Sequence, residues 1–117
     1  MKPIIIYSDK FLNAISWFFP VGGISLFPFI ILRRKLKGSN SRLADIVINH
    51  ETIHFQQAVE LLFVGFYILY LLNFLVNLIR YRNVDKAYET ILFEKEAYGN
   101  ENNLEYLKTR KRFAWIK

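Results

Sequence analysis

The sequence predicts an α+β fold, with short N-terminal β-strands followed by helices. Three observations carry that expectation. Isoleucine-rich runs, with proline and glycine between them, fill the first third of the chain. From Arg42 the string RLADIVINHETIHFQQAVELL contains no Pro or Gly, and its apolar positions recur near helical spacing. The 117 residues suit one domain, residues 1–117, with no repeat or linker dividing it.

The elements follow in chain order. KPIIIYS reads as a strand because it is dense in β-branched residues. Phe11 to Leu32 carries no charge, but Pro20, Gly22, Gly23 and Pro28 make it a poor transmembrane helix. Its second half, GISLFPFIILRRKL, is instead an extended segment ending in the basic run Arg33, Arg34, Lys35 and Lys37, with Pro20-Val21-Gly22-Gly23 as the turn before it. Ser39-Asn40-Ser41 offers N-cap chemistry. The helix that follows places Leu43, Ile46, Val47, Ile53 and Leu61 near helical spacing and Asp45 near its positive end. Its β-branched residues are indifferent helix formers, so packing must support it. Leu61 to Ile79 is the second uncharged stretch, apolar all round except Asn73 and Asn77. A last helix is expected around residues 84 to 109.

Both histidines of the chain fall in one string, His50-Glu51-Thr52-Ile53-His54. Positions i and i+4 share a helix face, so two imidazoles there can hold one metal. Glu51 can then reach a water at that metal as general base. Two histidines placed at random show this pattern in roughly one chain in a thousand. The plain alternative is a pair of polar histidines with no metal. Catalytic zinc usually takes three protein ligands. With no cysteine and no further histidine, the third must be a carboxylate. Glu60 lies six residues after His54, but Gln57 stands where a turn residue would be needed, and a continuing helix rotates Glu60 off the histidine face.

The run Phe93-Glu94-Lys95-Glu96-Ala97-Tyr98-Gly99-Asn100-Glu101 offers the other candidates. With HETIH upstream it resembles the gluzincin zinc peptidases, whose second helix carries a glutamate ligand followed at i+3 by a small residue. The resemblance covers residues 42 to 101. HETIHFQQ is also similar to small HExxH proteins with glutamines after the second histidine. The resemblance implies a zincin-like core with two metal-bearing helices. It implies His50, His54 and Glu94 as ligands of Zn2+ and Glu51 as general base. Glu96 is the alternative third ligand. The chain departs from the family at Tyr98, where gluzincins place an aspartate that orients a histidine. The resemblance also implies that an edge strand, here residues 24 to 32, binds extended substrate beside the active-site helix; a plain core strand is the other possibility. Tyr98, Tyr88 and Tyr81 are candidates to stabilise the substrate carbonyl, and Gln56 and Gln57 can hydrogen-bond near the site.

Leu61 to Ile79 is long enough to cross a bilayer. A single crossing there would put His54 and Glu94 on opposite sides, and RYRNVDKAYETILFE is too charged to cross back. The stretch must therefore bend near Gly65, lie in the membrane interface or form a buried central helix. Arg80, Arg82, Tyr67, Tyr70 and Tyr81 suit the headgroup zone. A monotopic or partly inserted protein is expected, with a cytoplasmic protein as the alternative. The net charge of +6 comes largely from residues 33 to 42 and from the tail Lys108 to Lys117. Mixed with Phe113 and Trp115, that charge suits anionic membrane lipid better than nucleic acid; no nucleic-acid module is present. No signal peptide is evident in MKPIIIYSDK. Lack of cysteine excludes disulfides and thiol nucleophiles. A metallopeptidase acting on peptide or protein substrate is expected. A non-catalytic membrane-associated protein with at most a structural metal is the alternative.

Overall fold

Strands come first and helices follow, as the sequence predicts. This computed structural model describes residues 3–15, 23–26, 29–34 and 42–116. The expected turn at Pro20-Val21-Gly22 and N-cap at Ser39-Asn40-Ser41 lie outside them, as do Lys35 and Lys37 of the basic run. β1 (Ile4–Tyr7), β2 (Gly23–Leu26) and β3 (Phe29–Leu32) form one sheet in the order β1-β3-β2. β1 runs parallel to β3 with Ile4 opposite Phe29 and Tyr7 opposite Leu32. β2 is antiparallel to β3, Gly23 opposite Leu32.

Residues 29–32 are therefore a central strand, which corrects the expectation of one edge running from 24 to 32. The edge that packs on the motif helix is β2 alone. Alternation decides which side chains of β3 meet that helix. Ile30 and Leu32 bury against Ala44, with Tyr7, Val47 and Ile48 around them.

A short helix, α1 (Asp9–Ile15), interrupts the N-terminal strands. The sequence reading missed it, although Ser8-Asp9 is ordinary N-cap chemistry. Ser8 Oγ accepts a hydrogen bond from Phe11 N at 3.3 Å, and Asp9 sits in the first turn. Leu12 is fully buried, and α1 packs on β3.

α2 (Arg42–Glu60) is the central helix, touching the sheet, α3 (Val64–Tyr81) and α5 (Leu92–Asn100). This enclosure supplies the packing that its β-branched residues require. Its C-terminus ends in two backbone bonds, Phe63 N to Ala58 O at 2.7 Å and Leu62 N to Val59 O at 3.3 Å. Leu62 sits in the left-handed region at φ 56°, where glycine is usual. Phe63 follows with φ 64° and ψ −64°, a γ-turn closed by Val64 N to Leu62 O at 2.7 Å. The stretch from Leu61 to Ile79 thus bends near Gly65, as one of its expected arrangements has it, with the turn at Leu62–Val64 and Gly65 itself in the first turn of α3.

α3 is long and apolar enough to cross a membrane, yet only 11% of its window is buried. Of the three arrangements expected for this stretch, a buried central helix is the one it does not adopt. Its two asparagines face inward. Asn73 Oδ1 accepts from Leu92 N at 2.9 Å, and Asn77 Nδ2 donates to Ala87 O at 3.2 Å. Its outward face carries Val64, Ile68, Leu72, Leu75, Val76 and Ile79.

The helix expected over 84 to 109 is broken into α4 (Val84–Glu89), α5 and α6 (Tyr106–Thr109). Asn83 caps α4, accepting from Lys86 N at 3.0 Å. Thr90 then bonds back to Lys86 O at 2.7 Å, and Ile91 turns extended at ψ 133° and buries fully. Asn73, reaching across from α3, caps the start of α5.

Candidate metal centre

α2 and α5 cross with their polar faces together. His50 and His54 project from one face of α2, one turn apart, and Glu94 projects from the first turn of α5 between them. His50 Nε2 lies 3.1 Å from Glu94 Oε1, His54 Nε2 lies 3.0 Å from the same oxygen, and the two Nε2 atoms are 3.1 Å apart. Four ligands held tetrahedrally at zinc bond lengths stand about 3.3 Å from one another. The triangle is close to that size.

The far side of each imidazole fixes its tautomer. His50 Nδ1 lies 2.6 Å from Glu101 Oε2, and His54 Nδ1 lies 2.8 Å from Gln57 Oε1. Gln57 must present its oxygen there, because its amide nitrogen donates to Phe93 O at 3.1 Å and to Glu96 Oε1 at 2.9 Å. Each neutral imidazole then carries its proton on Nδ1 and points a bare Nε2 lone pair at Glu94 Oε1. Three acceptors facing one another repel unless a cation or a proton sits among them. The donor set of two imidazole nitrogens and one carboxylate oxygen is one that zinc takes. The residues therefore fit the metal.

Charge follows the same geometry. Burial alone would lower the His54 pKa, but the Glu94 carboxylate more than reverses this and raises it to about 9. Burial opposes ionisation of Glu94 as well, yet the two histidines hold its carboxyl well below the usual range. In the metal-free protein one proton on His54 can thus fill the cluster.

Glu51 belongs to the same pocket. Its carboxylate and both imidazoles offer ligand atoms within 4.8 Å of one another. Burial raises its pKa, against the pull of His54 and His50. A buried carboxylate of raised pKa is suited to accept a proton.

The remaining candidates separate cleanly. Glu60 does not face the histidines; both its oxygens take the Arg110 guanidinium at 3.0 Å. Glu96 is likewise occupied, by Arg110 Nε at 2.5 Å and Tyr106 Oη at 2.6 Å. Tyr98 stacks edge-on against His50 at 4.5 Å and pairs with Tyr88 Oη at 3.0 Å, which leaves both tyrosines at the site. Tyr81 is not there; its ring lies under Lys86 Nζ at 4.8 Å. Gln57 hydrogen-bonds at the site as expected, accepting from His54 Nδ1 and donating to Phe93 O and Glu96 Oε1.

Four participants escaped the sequence reading. Glu101 supplies the orienting carboxylate that Tyr98 cannot, and its signal was the seven-residue spacing from Glu94, two turns along one face. Tyr70 Oη donates to Glu94 Oε2 at 2.5 Å from α3, a pairing that no local pattern announces. Asn49 Nδ2 donates to Glu101 O at 2.9 Å and Asn103 O at 3.1 Å, tying down the end of α5. Arg110 was read as part of a basic, lipid-seeking tail. It is instead buried between Glu60 and Glu96. The tail packs back on the body, with Trp115 4.9 Å from Phe93.

No family model, curated protein or solved structure matches the chain. What the cluster can do is therefore read from its own atoms.

Proposed function

We propose that the protein is a zinc-dependent hydrolase of peptide bonds, of the gluzincin kind, with His50, His54 and Glu94 as ligands and Glu51 as general base. One observation carries this reading. Two imidazole lone pairs and a carboxylate oxygen converge with edges of 3.0 to 3.1 Å while Glu101 and Gln57 hold both Nδ1 protons away. Zinc bound there would supply Lewis acidity, which turns water into a nucleophile near neutral pH. Glu51 accepts the proton of the attacking water and hands it to the leaving amine. Burial raises its pKa, the direction that favours proton uptake by a carboxylate. Tyr98 and Tyr88 offer hydroxyls beside His50 to a substrate carbonyl.

The experiment is Glu51→Gln. The variant should keep its zinc and lose peptide hydrolysis. Turnover equal to the unaltered protein would remove Glu51 from the mechanism.

A second reading, a non-catalytic protein with a structural metal, has one observation in its favour. His50, Glu51, His54 and Glu94 are all buried, and structural zinc sites are closed where catalytic ones stay open. The same variant decides between them, since a structural centre hydrolyses nothing before or after the substitution.

We place the protein on a membrane surface, monotopic or partly inserted. Exposed aliphatic side chains along the outward face of α3, with Phe66, Tyr67, Tyr70 and Phe74 packed inward, support this, because a helix facing water turns a polar face outward. His54 and Glu94 flank α3 in sequence and meet in space, so a single crossing by that helix does not fit the cluster.

A further inference from the structure

We infer that a groove between α3, α5 and the final 3-10 turn (Ala114–Ile116) takes the acyl chain of an anionic membrane lipid. The groove holds about 280 Å³, just under the roughly 300 Å³ at which ligand pockets begin. Its walls are Leu69, Leu72 and Val76 of α3, Leu92 and Phe93 of α5, and Trp115. Asn73 also lines it, but its carbonyl oxygen already accepts from Leu92 N. The groove opens along the outward aliphatic face of α3, so an aliphatic chain entering it stays in apolar surroundings throughout.

Two further features specify the occupant. Among the described residues Trp115 Nε1 is buried with no hydrogen-bond partner, a rare state for a donor. Trp115 is itself a wall of the groove, so a ligand whose apolar chain ends in an acceptor, such as a lipid ester carbonyl, would bring that acceptor beside the indole. Just before this turn, Lys111 and Arg112 are exposed, unlike the buried Arg110. They suit a negative headgroup, and the chain carries +6 overall. This inference rests on the membrane placement and is independent of the zinc assignment.

The two tryptophans allow a direct test. Trp17→Phe leaves Trp115 as the sole tryptophan, excited selectively at the red edge where the tyrosines do not absorb. Its fluorescence is measured with phosphatidylglycerol vesicles whose acyl chains do or do not carry bromine, while sedimentation measures vesicle binding separately. Chain bromines should cut the emission at least about twofold. Leu72→Phe, at an exposed position that narrows the groove, should abolish most of that quenching and leave vesicle binding intact. Lys111→Glu with Arg112→Glu should weaken binding to phosphatidylglycerol and leave the weak binding to phosphatidylcholine unchanged. Failure to bind vesicles overturns the membrane placement and the groove together. Binding without quenching, or quenching that survives Leu72→Phe, overturns the groove alone. A dimer that shields Trp115 from the bromines would make a second copy the occupant, and overturns it too.

Discussion

Gln57 donates both amide hydrogens away from the His50–His54–Glu94 cluster, to Phe93 O and Glu96, and so presents only its carbonyl to His54. Glu101 does the same work for His50 with a carboxylate. Partners of this kind set the tautomer and raise ligand basicity, and removing one costs about 10–100-fold in metal affinity. Gln57→Leu and Glu101→Gln should each weaken zinc binding by that factor in a competition titration. An effect under about twofold from both would mean that the imidazoles orient themselves. Glu94→Ala should cost far more than Glu60→Ala or Glu96→Ala; damage from Glu96→Ala at the Glu94 level would mean that Glu96 is the ligand. Protons follow the same atoms. His54 is raised to about 9 in the metal-free protein, so zinc must displace a proton below that pH. Affinity should fall about tenfold per pH unit below 9 and flatten above it. The sign for stability is opposite. A raised histidine stabilises fully below its unfolded value of about 6.5 and loses that stabilisation as pH rises through about 9. Metal-free protein should therefore melt lower at pH 10 than at pH 7, and a rise in Tm would contradict the His54–Glu94 pairing. At this scale the convergence of His50, Glu51 and His54 was legible because i, i+4 spacing is local geometry, whereas Glu94 came from the family resemblance alone. Gln57 and Glu101 were not legible in their roles, because hydrogen-bond direction depends on which groups a second helix presents.

Element boundaries depend on strain and on caps brought from other elements. Leu62 occupies a left-handed position while 80% exposed, so its side chain gains little from the place it holds. Leu62→Gly should relieve strain and raise unfolding free energy by about 1 kcal/mol, read from the denaturant midpoint. A fall in stability would show that residue 62 is not left-handed. Arg110 is a different case. Its guanidinium has 6% of its area exposed and serves two buried carboxylates, Glu60 and Glu96. Removing one partner of a buried pair costs about 3–5 kcal/mol, because the other charges stay behind. Arg110→Met should lose about that much stability, whereas Lys111→Met, at an exposed site, should lose under about 0.5 kcal/mol. Equal small losses would return Arg110 to the solvated tail that the sequence suggested. The broken helix over 84–109 has a related lesson. Nothing in VDKAYETILFEKEAYGN forbids one helix, and the break follows from Ile91 burying fully while Asn73 caps the restart. Long-range capping leaves no periodic trace. Nor did a reading for strands see α1, whose seven residues follow directly on an isoleucine run.

The polarity of the whole molecule sets its surroundings. Its interior collects ions and amides around α2 and α5, while aliphatic side chains gather on the outside of α3. The α+β class, with strands ahead of the long helices, was legible, since it follows from breakers, β-branched runs and helical spacing. Which face of α3 turns outward was not, since an almost wholly apolar helix carries no amphipathic signal and only Asn73 and Asn77 mark its inner side. Tags placed after Lys37 and after Lys117 should be accessible from the same side of a vesicle membrane, because the metal triangle joins residues from both sides of α3 in sequence. Access from opposite sides would take Glu94 away from the histidines. The most direct measurement is zinc content per chain, by elemental analysis, of the unaltered protein, Glu51→Gln and Glu94→Ala, purified alike and loaded with equal zinc. Three ligands from His50, His54 and Glu94, with Glu51 outside the set, require about one zinc in the first two proteins and little in the third. Absence of zinc from the unaltered protein, or full zinc in Glu94→Ala, would contradict the metal centre itself.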